Sequence, residues 1–253
     1  GVLLVCIGKA TKLAEWLQSH DKEYVAGVTF GATTPSYDLE KEIDRFFPHE
    51  HISAEAVENA LPAFIGEQDH IAPLFSAKSV DGVRVYELAR KLYKSNSENE
   101  SVQSSDLDTT AEQLLRVSRI NITELELLRF AGRNEGLMDR ATRGTEAGGP
   151  QAEHSGGVSE ANVHEPSSCQ HATTASSRIN VTDNSALGLP RAVIRMACSK
   201  GTYVRAFARD LGEALGSGAH LDSLQRSRSG QFRVENALTV EQVMDLFAPK
   251  HEA

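Results

Sequence analysis

Apolar and polar positions alternate in some stretches of the chain and recur every three or four residues in others. The two spacings predict different elements. Residues 2–7, VLLVCI, form a continuous apolar run and predict a buried strand. Residues 8–21, GKATKLAEWLQSHD, place Leu13, Trp16 and Leu17 on one face of a short helix. In 22–31, KEYVAGVTFG, alternation puts Tyr24, Ala26, Val28 and Phe30 on one side of a strand. Residues 32–43, ATTPSYDLEKEI, read as loop, with Pro35 as punctuation. Ser53 is placed as an N-cap, with Ile52 and Val57 spaced as a hydrophobic staple. The helix behind it carries Val57, Ala60, Leu61 and Phe64 and ends at Gly66, and Pro62 should distort it.

Further on, residues 73–93 predict a loop or strand, an Asp81-Gly82 turn, and a helix with Val85, Leu88, Ala89 and Leu92 inward. Residues 114–128 (LLRVSRINITELELL) and 191–198 (RAVIRMAC) read as strands. Residues 198–212, CSKGTYVRAFARDLG, predict a strand end, a turn at Gly201 and a helix N-capped by Thr202. Its apolar face holds Val204, Phe207, Ala208, Leu211 and Leu215. Arg209 has Glu213 four residues on, a favourable pair. Arg205 has no acid at helical spacing; its neighbours there are Gly201, Thr202, Ala208 and Arg209. Residues 217–232 read as a Gly-punctuated loop running into a strand, and Thr239 with Gln242 forms a capping box for the last helix, 240–247. The class expected is α+β, with a mixed, mainly antiparallel sheet flanked by helices.

Composition changes this picture in two places. Residues 95–113 hold Glu98, Glu100, Asp106, Asp108 and Glu112 and no Lys or Arg. Residues 131–187 are rich in Gly, Ser, Thr, Glu and Ala and poor in large apolar residues. Neither segment can bury enough surface to offset its ordering entropy. Both are expected as inserts, the second disordered, in one domain spanning 1–247. They also carry most of the net charge of −9 over 253 residues. Residues 191–233 are basic, with eight Lys/Arg against Asp210, Glu213 and Asp222, a candidate polyanion footprint or else a solvated face.

No run of 18 apolar residues is available to span a membrane. Cys6 and Cys198 sit in apolar runs and are expected as small core residues, and no cysteine pair has metal or redox spacing. His154, His164, Cys169 and His171 match no known ligand pattern, so no metal is expected. The odd cysteine count and the lack of a leader favour a reducing, cytoplasmic setting. The chain opens at Gly1 inside an apolar pattern, so its true N-terminus is expected upstream.

No P-loop, dinucleotide or zinc-protease motif occurs. The unusual positions are Arg205, the adjacent Tyr203, Tyr24 on its strand, and the segment SAKSVDGVRVYELAR with Lys78 and Arg84. Taken singly, Tyr24 reads as a core tyrosine and Lys78 and Arg84 as surface cations, while Arg205 reads equally as a solvated cation or as one with an anion elsewhere in the fold.

Taken in order, GVLLVCIGKATK, KEYVAGVTFGATTPSYD, SAKSVDGVRVYELARK and CSKGTYVRAFARDLGEALGSGAHLDSLQRSRSG resemble the TruB family of tRNA pseudouridine synthases. The form of TPSYDLEKEI is similar to the short bacterial type without a C-terminal PUA domain. The resemblance covers 1–94, 114–130 and 191–247. It implies the pseudouridine synthase fold and isomerisation of uridine 55 in the T-loop of tRNA, with no cofactor or metal, by what is expected to be a monomer. It implies that Tyr24 stacks on the flipped uracil, that Arg205 pairs with the nucleophilic aspartate, and that Tyr203 and Leu224 wall the pocket. Lys78, Arg84, Lys200, Arg226 and Arg228 become candidate phosphate contacts. The family's aspartate belongs to a Gly-x-Leu-Asp-Pro-x-Ala-Thr-Gly loop that would precede Gly1, and no acid within 1–253 matches it. The chain as given is therefore expected to be inactive, and a non-catalytic tRNA-binding protein or RNA chaperone on the same fold is the alternative. LYKSN after Arg90 departs from the family's Gly-containing form, which puts that loop's RNA contact in doubt.

Overall fold

The computed structural model describes residues 1–76, 79–80, 83–87, 89, 110, 117–139 and 181–247. Its centre is one sheet in the order β11 (Phe232–Arg233), β10 (Ala219–Ser229), β1 (Lys22–Phe30), β9 (Arg191–Cys198), β7 (Ser118–Ala131) and β4 (Gly66–His70). The short β8 (Met138–Asp139) folds back on β7. Two small ribbons stand apart from it, β2 (Ala32–Thr33) with β3 (Arg45–Phe46) and β5 (Ser79–Val80) with β6 (Val83–Arg84). Every pairing among the described residues is antiparallel, so the expected mixed sheet is antiparallel throughout what is described. Apart from β10 with β11 and β7 with β8, long sequence gaps separate the neighbouring strands of the main sheet, and helices cover one face.

β1 is the middle strand, and its alternation decides the layering. Ala26, Val28 and Phe30 are fully buried on the helix-covered face. Their partners across the ladder, Ile194 on β9 and Leu221 on β10, point the same way and are buried too, as is Met196 opposite Tyr24. Two helices supply the cover. α2 (Ala54–Ala60) adds Val57 to this core. Its Ser53 cap accepts from the Ala56 N–H at 3.1 Å. Pro62 ends it in a 3₁₀ turn, Leu61–Phe64, as the missing N–H requires. α3 (Val204–Ala214) adds Val204, Phe207, Ala208 and Leu211.

The opposite face of the sheet is polar and paired. Arg195 donates to Glu126 at 2.9 Å and reaches Glu23 and Glu124. Arg191 grips Asp222 with two nitrogens, and the Thr29 hydroxyl donates to the same carboxylate at 2.7 Å. Burial pushes the Asp222 carboxyl up, but Arg191, Thr29 and Ser223 together hold it below the usual carboxylate range.

Five sequence expectations change. Residues 1–7 form no strand; Val2 alone bonds β10, giving its N–H to the Arg226 carbonyl at 2.8 Å, while Leu3, Val5 and Ile7 are exposed. One contact does not make a ladder, so Cys6 is half-buried rather than a core residue, whereas Cys198 is buried as expected. The first helix, α1 (Ala14–Ser19), leaves Leu13 and Trp16 exposed. The N-cap of α3 is Tyr203, not Thr202, whose hydroxyl turns back to the Ser199 carbonyl at 3.0 Å. Finally, the 131–187 segment is regular at both ends: Ala131 and Met138–Asp139 are in strands, and Ser185–Leu187 is a 3₁₀ turn. Its interior, 140–180, and the acidic stretch 95–113 except Thr110 lie outside the described residues.

The last helix, α4 (Val240–Phe247), has the expected capping box, with Thr239 and Gln242 exchanging bonds of 2.8 and 3.2 Å. Residues 85–87 and 89 are helical with Val85 and Ala89 inward, as the periodicity predicts. β5 and β6 pair across the expected turn, whose Asp81 and Gly82 lie outside the description.

Gly212 lies within α3, where glycine ordinarily costs about 1 kcal/mol against alanine. Here it lets the helix touch the backbone of β10: a Cβ would collide with the Ala219 amide nitrogen and sit 2.6 Å from the Gly218 carbonyl carbon. Backbone cannot swing aside as a side chain can. Gly212→Ala should therefore lower stability by about 1–3 kcal/mol despite its better helix propensity, read as a fall in the denaturation midpoint; an unchanged or raised midpoint would contradict the close contact.

Candidate active site

Arg205 lies on the first turn of α3, and its guanidinium leaves the helix sideways. One nitrogen donates to the Asp38 carboxylate at 3.0 Å and to the Ser36 carbonyl at 3.2 Å. The other donates to the Phe75 carbonyl at 2.5 Å. The anion missing from helical spacing is thus 167 residues away in sequence. Local periodicity cannot show such a partner. The planar, forked head of arginine suits the site, since one group must satisfy a carboxylate and two carbonyls in different directions.

Asp38 is itself placed. It accepts from the Ser36 hydroxyl at 2.6 Å and from the Glu40 N–H at 2.9 Å, an Asx-type turn. The stretch 32–37, read from sequence as an ordinary loop, is buried throughout. Its polar groups are paired from both sides: the Leu221 N–H donates to the Tyr37 carbonyl at 3.0 Å, and within the turn the Thr34 hydroxyl donates to the Asp38 carbonyl at 2.7 Å. The available signal was the density of small hydroxyl residues ahead of an aspartate in ATTPSYD. Such residues hydrogen-bond nearby backbone and so let a turn be buried.

Tyr24 sits on the helix-covered face of β1, packed on the core and about half-buried. Its register neighbours are Met196 on β9 and Arg226 on β10. Burial raises its phenol pKa above the ordinary value, and Arg226 beside it opposes that rise. Leu224 is opposite Ala26, one step along the same face, and is half exposed. So Tyr24, Leu224 and Arg226 share a face beside α3, with one apolar side chain left open to solvent.

Tyr203 caps α3 two residues before Arg205. Burial raises its phenol pKa too, with the Arg205 charge opposing. Its ring packs on a second apolar cluster of Ala72, Leu74, Phe75, Val85 and Ala89.

The expected phosphate contacts separate. Lys200 is exposed at the turn after β9. Lys22, not singled out from sequence, lies close by: its pKa is lowered by partial burial and then by the charges of Arg226 and Lys200. Three cations thus gather at the end of the sheet next to Tyr24. Arg226 also donates to the Val2 carbonyl at 2.8 Å, and Arg228 turns away to the Gly230 carbonyl at 3.1 Å and toward Glu23. Lys78 lies outside the described residues, and only the backbone of Arg84 is described, in β6. Among the described residues no group of three or more His, Cys, Asp or Glu could hold a metal, and no helix is long and apolar enough to cross a membrane.

Comparison with known proteins gives the family of the chain. Residues 1–123 match the TruB family pseudouridylate synthase N-terminal domain, and residues 205–253 match the tRNA pseudouridylate synthase B C-terminal domain. The chain is 40% identical over 241 residues to tRNA pseudouridine synthase B of Phocaeicola vulgatus, covering 95% of this chain and 71% of that protein. It is 31% identical over 247 residues to the protein of the same name from Francisella tularensis subsp. novicida, covering 97% of this chain and 57% of that one. Among solved structures, a Cbf5-Nop10-Gar1 complex aligns with a TM-score of 0.45 at 17% identity, over 94% of this chain and 40% of the matched one. With both family domains matched in order and two-fifths of positions identical to a relative across nearly its whole length, the chain belongs to the TruB family of pseudouridylate synthases.

Proposed function

We propose that this protein isomerises a uridine in the T-loop of tRNA, the position equivalent to uridine 55, to pseudouridine. The observation that carries the reading is Arg205, fixed from three directions and borne on the helix that packs on the same core as Tyr24. The target base must leave the stack to be reached. Tyr24 then offers its ring to the uracil, a contact worth about 1–3 kcal/mol. Leu224 and Tyr203 exclude water from the pocket, which strengthens every charge interaction inside it. Arg205 holds the reacting carboxylate ionised and oriented, since a neighbouring cation favours the charged form. Uracil is detached, turned and rejoined through carbon with no redox change, so the chemistry needs no cofactor. Lys22, Lys200 and Arg226 supply a positive margin for the phosphates on either side of the flipped nucleotide. A monomer in the cytoplasm, where tRNA is modified, completes the reading.

The family's Gly-x-Leu-Asp-Pro-x-Ala-Thr-Gly loop matches no stretch of 1–253. Asp38 meets Arg205 here without that motif around it. In the proposal Asp38 orients Arg205 and the nucleophile comes from the family loop.

The assay is release of tritium from tRNA labelled at uracil C5. The full-length protein should release tritium, and residues 1–253 alone should not. Turnover by 1–253 alone would overturn this assignment of the nucleophile, and tRNA binding without turnover by the full-length protein would leave an RNA-binding protein instead. Arg205→Met in the full-length protein should cut turnover by about a hundredfold or more, the scale of a misplaced reacting group.

Tyr24→Phe should keep the stacking face and most tRNA binding, whereas Tyr24→Ala should lose far more turnover than stability. Parallel losses of turnover and melting temperature would return Tyr24 to the role of a core tyrosine.

Lys200→Ala should weaken tRNA binding similarly for all tRNA sequences and reduce the slope of log K against log salt by about one unit. An unchanged slope would remove Lys200 from the RNA interface.

A further inference from the structure

The start of α3 has no cap of its own. Tyr203 is its N-cap, no side chain of the segment accepts a bond from the first turn, and no acid lies there. An uncapped helix start frays unless something else takes its free N–H groups. Here the acceptor comes from the other edge of the sheet. His70, the last residue of β4, brings its Nε2 to 3.1 Å from the Tyr203 backbone nitrogen, which donates to it. The imidazole is almost completely buried, and its plane lies 17° from that of the Tyr203 ring with centroids 6.3 Å apart. His70 therefore meets both the backbone and the ring of Tyr203.

His70 also begins the segment that holds Arg205. Residues 71–76 run past α3 and give it carbonyls: that of Phe75 accepts from Arg205, and that of Ile71 from Arg209 at 3.4 Å. Ala72, Leu74 and Phe75 form the second apolar cluster on which Tyr203 packs. One end of this strap is thus tied to α3 through His70 and the long Arg209 contact, and the other through Arg205. Removing the His70 tie leaves that end held to the helix by the 3.4 Å Arg209 contact, a weaker anchor for the strap to which Arg205 is bonded.

We propose that His70 is a positioning residue for the active site, a tertiary N-cap of α3 that sets Tyr203 and, through the 71–76 strap, Arg205. The inference rests on the functional reading above. It is chemically specific: Nε2 must be a bare acceptor, so the ring proton sits on Nδ1. A group that mimics Nε2 keeps the tie, and a group that mimics Nδ1 does not. Glutamine places its Oε1 three bonds beyond Cβ, as histidine places Nε2, whereas asparagine stops one bond short.

Three variants of the full-length protein separate the outcomes. His70→Leu and His70→Asn should lower kcat about tenfold or more with KM for tRNA changed less than about twofold, because the base-binding face of β1 is untouched while the reacting groups shift. His70→Gln should restore most of the turnover. Amide exchange at Tyr203, followed by hydrogen–deuterium exchange, should quicken about tenfold or more in the Leu and Asn proteins and stay slow in the Gln protein. If Gln behaves like Leu in both measurements, or if exchange at Tyr203 is unchanged in Leu, His70 is not the cap. If all variants turn over like wild type, it does not position the site. Should wild type itself form no pseudouridine, the functional reading fails, and the exchange arm still decides whether the cap exists.

Discussion

The guanidinium of Arg205 is the point on which the site depends. It joins α3 to the buried turn at Ser36–Asp38 and to the strap ending at Phe75. α3 is already packed on the core, and the turn also accepts the Leu221 N–H of β10 on its Tyr37 carbonyl, but the turn and the strap themselves run outside the sheet ladder. A cation mostly removed from water is strongly destabilising without its partners. That requirement converts three segments into one wall. It also explains why the turn can be buried at all: its aspartate and the Ser36 carbonyl are bonded to α3 instead of to water.

The layering of the sheet sets what surrounds Tyr24. The helix-covered face is apolar along β1 until Tyr24, where the core gives way to Arg226, Lys22 and Lys200. The opposite face carries its charges as closed pairs around Arg191 and Arg195. Electrostatic attraction to a polyanion is therefore concentrated at one end of one face, although the whole chain is acidic.

Much of the fold was legible from local pattern. The alternation of Tyr24, Ala26, Val28 and Phe30 marked the central strand, Ser53 and Thr239 marked two helix starts, and Pro62 marked a helix end; each signal acts over a few residues. The failures share a cause. VLLVCI is as apolar as a buried strand, but strand formation needs a ladder, and only Val2 finds a bond there. Thr202 has the right chemistry for a cap, but its hydroxyl is taken by the Ser199 carbonyl. Asp38 and His70 act on α3 from 167 and 133 residues away, and no periodicity reaches that far. Motif resemblance, not local pattern, singled out Tyr24, Tyr203, Leu224 and Arg205 as site candidates, because a family pattern can carry relations between distant positions that local physics cannot express. It gave neither Lys22 nor the acceptor that fixes Tyr203.

The chain between β7 and β9 runs from Gly132 to Pro190, yet these strands are antiparallel neighbours paired from Ile122–Cys198 to Ala131–Arg191. In topology that whole stretch is a hairpin loop. It is pinched at its base, where Asn134 donates its N–H to the Gly188 carbonyl at 2.9 Å and Phe30 donates to the Pro190 carbonyl at 2.9 Å. Closure entropy grows only with the logarithm of length, about 0.6 kcal/mol per doubling. The base of the hairpin is at the Arg191 end of β9, and α3 begins beyond the Cys198 end, with about 25 Å of extended strand between. Near its end, however, Thr182 donates its N–H to the Leu39 carbonyl at 2.9 Å, one residue from the Asp38 that meets Arg205, so this connection is fastened to that turn as well as to the base of the hairpin.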